Sequence, residues 1–219
     1  LSPKMAARLL ELSSYMPLAI VSGRDREDVT DLVGIDSIFY AGCHGFDIED
    51  SRLPSLPFLD GQCSREQLME LGLSIKKTIS DFGDVILKIK KWAVAVHYRS
   101  ASPEQADRIE KVLMELLTPA SQFRFSQGER VIEVMPNVPW DKGRAVLWLG
   151  DQFLKQHGPG SPIYIGDDTS DEDAFHALRE QELTILVSRV GRPSSAKYRV
   201  EDPEEVGWFL DQLLSMARS

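Results

Sequence analysis

The stretch that most constrains the fold runs Pro162-Ile163-Tyr164-Ile165-Gly166-Asp167-Asp168-Thr169-Ser170-Asp171-Glu172-Asp173-Ala174-Phe175. A short apolar run ends in a glycine. A burst of carboxylates follows, and Ala174, Phe175 and Leu178 then recur at helical spacing. The pattern predicts a strand, an acidic loop and a helix. Carboxylates crowded at the end of a strand repel one another and call for a compensating cation. Clustered hard oxygens suit Mg²⁺. In an open α/β sheet, ligands bind at the carboxyl ends of the strands. Taken alone, the loop fits an acidic cap on an ordinary surface helix equally well, because carboxylates favour helix starts. A calcium hand fits worse, since its central glycine and closing glutamate do not fall in register.

The flanking chain repeats this grammar. Ser2-Pro3 reads as an N-cap with proline at the first helical position, and Met5, Leu9 and Leu12 mark one face as far as Pro17. Leu18 to Val21 is a continuous apolar run, as in a buried parallel strand, and ends in Ser22-Gly23-Arg24. Asp25 is placed to cap a second helix, which Gly34 stops. Ile38 to Ala41 is another buried strand, ending in Gly42-Cys43-His44-Gly45. Asp141-Lys142-Gly143 opens a helix ahead of the acidic loop. Leu183 to Val187 predicts a further strand, and Asp202-Pro203 caps a last helix. Alternation of strands and helices is the signature of a doubly wound α/β core.

Between these halves the pattern changes. Residues 50 to 62 are rich in Pro, Ser and Gly and read as a linker. Capping boxes at Ser64 and Ser102 open two helices. Each helix precedes two strands, Asp84 to Lys90 with Ala93 to Arg99, and Phe123 to Phe125 with Val131 to Val134. Alternation sets Val94, Val96 and Tyr98 against Ala93, Ala95, His97 and Arg99, one face for a core and one for a cleft or solvent. We expect residues 1–46 and 138–219 to form the core and 47–137 an inserted α+β cap.

Composition narrows the function. With 25 basic and 34 acidic residues the net charge is −9, which argues against a nucleic-acid or anionic-membrane partner. Cys43 and Cys63 are the two cysteines, too few for a disulfide framework, so a reducing, cytoplasmic setting is expected. No apolar run is long enough to span a bilayer. The chain begins at Leu1, and a longer parent product is expected.

Four element ends carry chemistry. Ser22-Gly23 offers a hydroxyl and backbone N–H groups to a phosphate. Lys142 sits at a helix start, where a cation opposes the macrodipole, so a functional role is a candidate explanation. Asp167 and Asp171 supply carboxylates. Metal, ammonium and hydroxyl together would suit phosphoryl transfer. Singly, Ser-Gly-Arg is also a generic turn and Lys142 a solvated side chain.

The ordered set Ser22-Gly23-Arg24, His44-Gly45-Phe46, His97-Tyr98-Arg99, Glu133 to Pro136, Asp141-Lys142-Gly143 and Gly166 to Phe175 resembles trehalose-6-phosphate phosphatases, of the haloacid-dehalogenase-like superfamily. The resemblance spans essentially the whole chain. It implies a Rossmann-like core with a type-2 cap, and Mg²⁺-dependent hydrolysis of trehalose 6-phosphate through an aspartyl-phosphate. It implies Ser22 and Lys142 as phosphate ligands, Asp167 and Asp171 at the metal, with Asp171 orienting the metal shell or Lys142. Gly23, Arg24, His44 and Gly45 would line the cleft, and His97, Arg99 and Glu133 would meet sugar hydroxyls. The implied partner is a small sugar phosphate.

Two departures stand out. The family carries its nucleophile on an Asp-x-Asp-Gly-Thr strand ahead of the first helix, and no such stretch occurs here. The nucleophile, and the first core strand, are expected upstream of residue 1. Lys88 stands where the family usually has Glu, two residues before the lysine at Lys90. Alternatives remain open: a sucrose- or glycosylglycerate-phosphate phosphatase, or a regulatory sugar-phosphate-binding domain without a nucleophile, fused to or associated with a trehalose-phosphate synthase.

Overall fold

The computed structural model describes residues 1–57, 64–83, 85–116, 122–128, 130–179 and 183–218. Cys63, Asp84, Glu129 and the last part of the 50–62 stretch lie outside these. The chain divides into two compact units, Leu1–Pro54 with Trp140–Ser219, and Ser55–Pro139.

The first unit is built from parallel pairings. Strand β1 (Ala19–Val21) pairs in parallel with β2 (Phe39–Ala41) through helix α2 (Arg26–Val33). Gly34 ends α2 with φ 66°, a left-handed residue that glycine adopts without a Cβ clash. The capping role expected of Asp25 differs in detail. Asp25 is the N-cap residue but makes no side-chain cap bond, and its carboxylate accepts from Cys43 Sγ at 3.4 Å instead. Helix α1 (Pro3–Leu12) has the expected Ser2 cap and N1 proline, but it closes at Ser13, ahead of Pro17. A second sheet holds β7 (Ile163–Gly166), β8 (Leu183–Val187) and β9 (Tyr198–Val200), all parallel in that order. Its third strand, β9, has too few apolar residues to announce itself. Helices α5 (Lys142–His157), α6 (Glu172–Ala177) and α7 (Pro203–Ala217) complete the unit. Leu12 of α1 packs with Leu210 and Leu214 of α7, and Val29, Ile35, Ile38 and Tyr40 form a second cluster. Residues from Asp47 to Pro54, expected in the cap, stay with this unit. Gly42 and Asp47 form an antiparallel bridge, and the Arg52 guanidinium lies 3.9 Å from the Phe39 ring centroid.

No ladder joins β1 and β7 among the described residues. A cavity of about 820 Å³ separates them, walled by Leu18 to Val21, Ile163 to Ile165 and the apolar sides of α1, α5 and α7. Both strands are half-exposed at this edge, unlike β2, which is buried throughout.

The second unit is a four-stranded antiparallel sheet in the order β3 (Ile86–Ile89), β4 (Val94–His97), β6 (Val131–Pro136), β5 (Phe123–Gly128). Helices α3 (Arg65–Thr78) and α4 (Pro103–Leu116) bury Leu68, Ile75, Ile109 and Leu113 in one cluster with Val94, Val96, Ile132 and Val134. The capping boxes at Ser64 with Gln67 and Ser102 with Gln105 form as the sequence predicts. The last hairpin is longer than its apolar core suggested, because Ser126, Gln127 and Gly128 continue the ladder as polar residues. No helix among the described residues is long and apolar enough to cross a membrane.

Candidate active site

Lys142 is the first residue of α5, after the N-cap Asp141, whose side chain accepts from Arg144 N. The ammonium stands at the positive end of the helix, and it is only 5 % exposed. A buried cation needs a counter-charge. Asp171 provides it, with Lys142 Nζ donating to Asp171 Oδ1 at 2.7 Å and to Ser170 Oγ at 2.9 Å.

Asp171 is saturated with donors. Oδ1 also accepts from the Tyr164 hydroxyl at 2.7 Å, and Oδ2 accepts the backbone N–H groups of Asp167 and Asp168 at 2.8 and 2.9 Å. Burial opposes ionisation of this carboxyl, but Lys142 and the other donors outweigh it and hold the pKa below the ordinary carboxylate value. Burial, and then the Asp171 charge, pushes the Tyr164 phenol far up, so it stays a protonated donor. Its ring packs edge-on against Phe175 at 5.6 Å, which fixes its aim. Tyr164 looked like strand filler in the sequence. Only the spatial closeness of β7 and Asp171 gives it this task.

Asp168 is exposed but bonds within its own loop. It caps the 3-10 turn Thr169–Asp171, accepting from Thr169 N, Thr169 Oγ1 and Ser170 Oγ. Asp167 differs. Its carboxylate is exposed and accepts no hydrogen bond among the described residues. Gly166 lets the loop close, because a Cβ there would meet the Asp171 carboxylate at 2.4–2.7 Å.

Ser22, Gly23, Lys142, Asp167 and Asp171 all line the one cavity at the end of β1 and β7. Ser22 Oγ accepts from Arg24 N at 3.2 Å. His44 and Cys43 hold positive φ values of 57° and 49°, conformations that non-glycine residues adopt at a cost and that cluster at functional sites. The strained turn tucks the His44 ring against Gly23, where a Cβ would lie 2.6 Å from the imidazole. Trp140 Nε1 donates to Gly45 O at 2.9 Å, which ties this turn to the start of α5. Arg24, His44 and Gly45 therefore sit beside Ser22 and Gly23 but do not line the cavity itself.

His97, Arg99 and Glu133 belong to the second unit. Glu133 Oε1 accepts from Lys90 Nζ at 2.6 Å, and His97 lies on the same sheet face. Burial, then Lys88 and Lys90, lower the His97 pKa and favour the neutral imidazole.

Among the described residues no group of three or more His, Cys, Asp or Glu side chains could hold a divalent cation. Mg²⁺ needs less, since it is usually held by one or two carboxylates with waters and substrate phosphate. The outward Asp167 fits that requirement. Asp171 does not extend it, because both its oxygens are already taken.

A family model described as trehalose-phosphatase matches residues 1–204. A trehalose-phosphate phosphatase of Mycobacterium tuberculosis is 35% identical over 233 residues, covering 100% of this chain and 56% of the relative. Trehalose-phosphate phosphatase B of Arabidopsis thaliana is 32% identical over 222 residues, covering 95% and 59%. The chain thus spans less than two thirds of the curated relatives it matches. Among solved structures, the C-terminal domain of Candida albicans trehalose-6-phosphate phosphatase superposes with TM-score 0.77 at 24% identity, covering 98% of this chain and 85% of that one. The sucrose-phosphatase of Synechocystis superposes with TM-score 0.60 at 16% identity, covering 96% and 93%. The fold is that of the haloacid-dehalogenase-like phosphatases, and the chain belongs to the trehalose-phosphatase family.

Proposed function

We propose that the protein containing this chain hydrolyses trehalose 6-phosphate to trehalose and phosphate. The observation that carries this is the buried Lys142 ammonium. It sits at a helix start, is held by Asp171 and Ser170, and opens on a cavity shared with Ser22, Gly23 and Asp167. Such a constellation suits a phosphoryl group, whose developing negative charge needs fixed donors and cations. In this reading Lys142 and the Ser22 hydroxyl hold two phosphoryl oxygens, and Gly23 lines the cavity beside them without a side chain to fill it. Asp171 orients Lys142 rather than binding metal. Asp167 supplies a carboxylate ligand to Mg²⁺, which when bound would neutralise charge on the phosphate. The nucleophilic aspartate of such a reaction would come from a strand N-terminal to Leu1, as the resemblance implies, and would carry the aspartyl-phosphate.

The Ser55–Pro139 unit is assigned as the cap, with His97, Arg99 and Glu133 as its sugar contacts. Glu133 Oε1 accepts from Lys90 Nζ at 2.6 Å, which fixes the carboxylate on the sheet face it shares with His97. The test is phosphate release by the intact protein from trehalose 6-phosphate, sucrose 6-phosphate and a glucosyl- or mannosylglycerate phosphate, each with and without Mg²⁺. Release from trehalose 6-phosphate above the others is expected. Preference for another substrate would reassign the specificity. Binding without release from any would favour a regulatory domain, a role suggested by a fold neighbour, the C-terminal domain of a Candida albicans trehalose synthase regulatory protein, superposed at TM-score 0.66.

A further inference from the structure

The acidic loop is pinned on one side by Asp171, and its other side is pinned from elsewhere in the chain. Between β8 and β9 the chain runs through residues 188–197, a stretch of Gly, Pro and Ser around several cations. Such loops normally lie on the surface with their side chains in water. Arg192 instead reaches back to the acidic loop. Its Nη2 donates to the carbonyl oxygens of Asp168 at 3.0 Å and Asp167 at 3.4 Å. Its Nη1 donates to Glu172 Oε1 at 2.9 Å, and the other Glu172 oxygen accepts from Ser195 N at 2.8 Å. Glu172 opens α6, where a carboxylate is favoured by the helix dipole. The same residues thus have their N–H groups held by Asp171 and their C=O groups held by Arg192. The loop is left with little freedom, and it presents the exposed Asp167 carboxylate, which accepts no hydrogen bond among the described residues.

We propose that Arg192, locked by Glu172, is a positioning residue that fixes the backbone of Asp167 and Asp168 and so aims the Asp167 carboxylate at a divalent cation. This rests on the role given to Asp167 above. Only a guanidinium suits the task, because its planar fork can serve a carboxylate and two carbonyls at once, whereas an ammonium is a single point charge. Groups that orient metal ligands without touching the metal are typically worth about 10–100-fold in affinity.

The test is direct titration of the intact protein with Mn²⁺, followed by the electron paramagnetic resonance signal of the free ion, without substrate. Arg192→Gln is expected to raise the Mn²⁺ Kd about 10-fold, with its thermal midpoint unchanged. Arg192→Lys should recover little, and Glu172→Gln should weaken binding in the same direction. Combining Arg192→Gln with Glu172→Gln should add nothing further, since both act on one link. Asp167→Asn identifies the ion's place and should abolish the binding. Wild-type affinity in Arg192→Gln, with binding lost in Asp167→Asn, overturns the proposal and leaves the metal role of Asp167 standing. Unchanged binding in Asp167→Asn overturns both.

Discussion

At the scale of single residues, Asp167 and Asp171 are neighbours in the loop with opposite tasks, and substitution should separate them. Asp167 is exposed and without side-chain partners among the described residues. Asp167→Ala in the intact protein should leave stability within about 0.5 kcal/mol. Under the proposed role it should cost about a hundredfold or more in Mg²⁺-dependent kcat. Urea denaturation and phosphate release measure the two sides. Asp171→Asn should do the reverse first, by stranding a buried ammonium. Loss of one partner of a buried pair costs about 3–5 kcal/mol. The pH dependence follows from the lowered Asp171 pKa. The unfolded chain holds this proton more tightly than the folded one. The stability Asp171 confers is therefore complete above the ordinary carboxylate value of 3.8 and disappears as pH falls through the lower folded value. Acid denaturation of wild type and Asp171→Asn should converge below that point. At this scale the sequence singled out Ser22, Lys142, Asp167 and Asp171, because polar groups suited to one chemistry recur at successive element ends and Lys142 opposes the helix dipole at its own. It hid Tyr164 and Arg192. A tyrosine in an apolar strand and an arginine in a polar loop break no rule, and their partners lie 7 and 20–25 residues away.

At the scale of elements, the junction of α5 with α6 sets where Lys142 can stand. Gly143, directly after it, packs so closely that a Cβ would lie 2.3 Å from Asp173 O. Gly143→Ala must push the helices apart, although alanine is the better helix former. The cost of such overpacking is about 1–3 kcal/mol. The shift also carries Lys142 from Asp171, so activity should fall further than stability alone accounts for. A gain in melting temperature, as propensity alone would give, would sink this account. Elements with strong periodicity or caps, such as α3, α4 and α7, were legible from residues 64, 102 and 202 onward. Strand β9 was not. Its Tyr198-Arg199-Val200 is exposed at the sheet edge and takes its conformation from pairing with β8.

At the scale of the whole molecule, the decisive feature is the unpaired space in the Leu1–Pro54 and Trp140–Ser219 unit. Among the described residues, strands β1 and β7 each have a partner on one side only, and an apolar-walled cavity of about 820 Å³ lies between them. Charges, prolines or bulges usually protect a sheet edge, yet β1 is Ala-Ile-Val and β7 is Ile-Tyr-Ile-Gly. Two outcomes face the cavity in water. If water enters, it satisfies the strand edges but wets Leu9, Leu12, Leu18 and Ile20 among its walls. If water stays out, buried N–H and C=O groups go unpaired, at about 1–3 kcal/mol each. Either cost is large beside a typical total stability of about 5–15 kcal/mol. An extended segment seated between the strands would remove both, by pairing with each edge and covering the walls. The 219-residue polypeptide by itself is therefore expected to self-associate through these edges, to bind 8-anilinonaphthalene-1-sulfonate and to unfold at low urea without a sharp transition. Sedimentation equilibrium, dye fluorescence and a urea titration of that polypeptide check the three. A monodisperse monomer that binds no dye and unfolds in one cooperative step would mean that β1 and β7 close on each other in solution, and that the cavity needs no occupant.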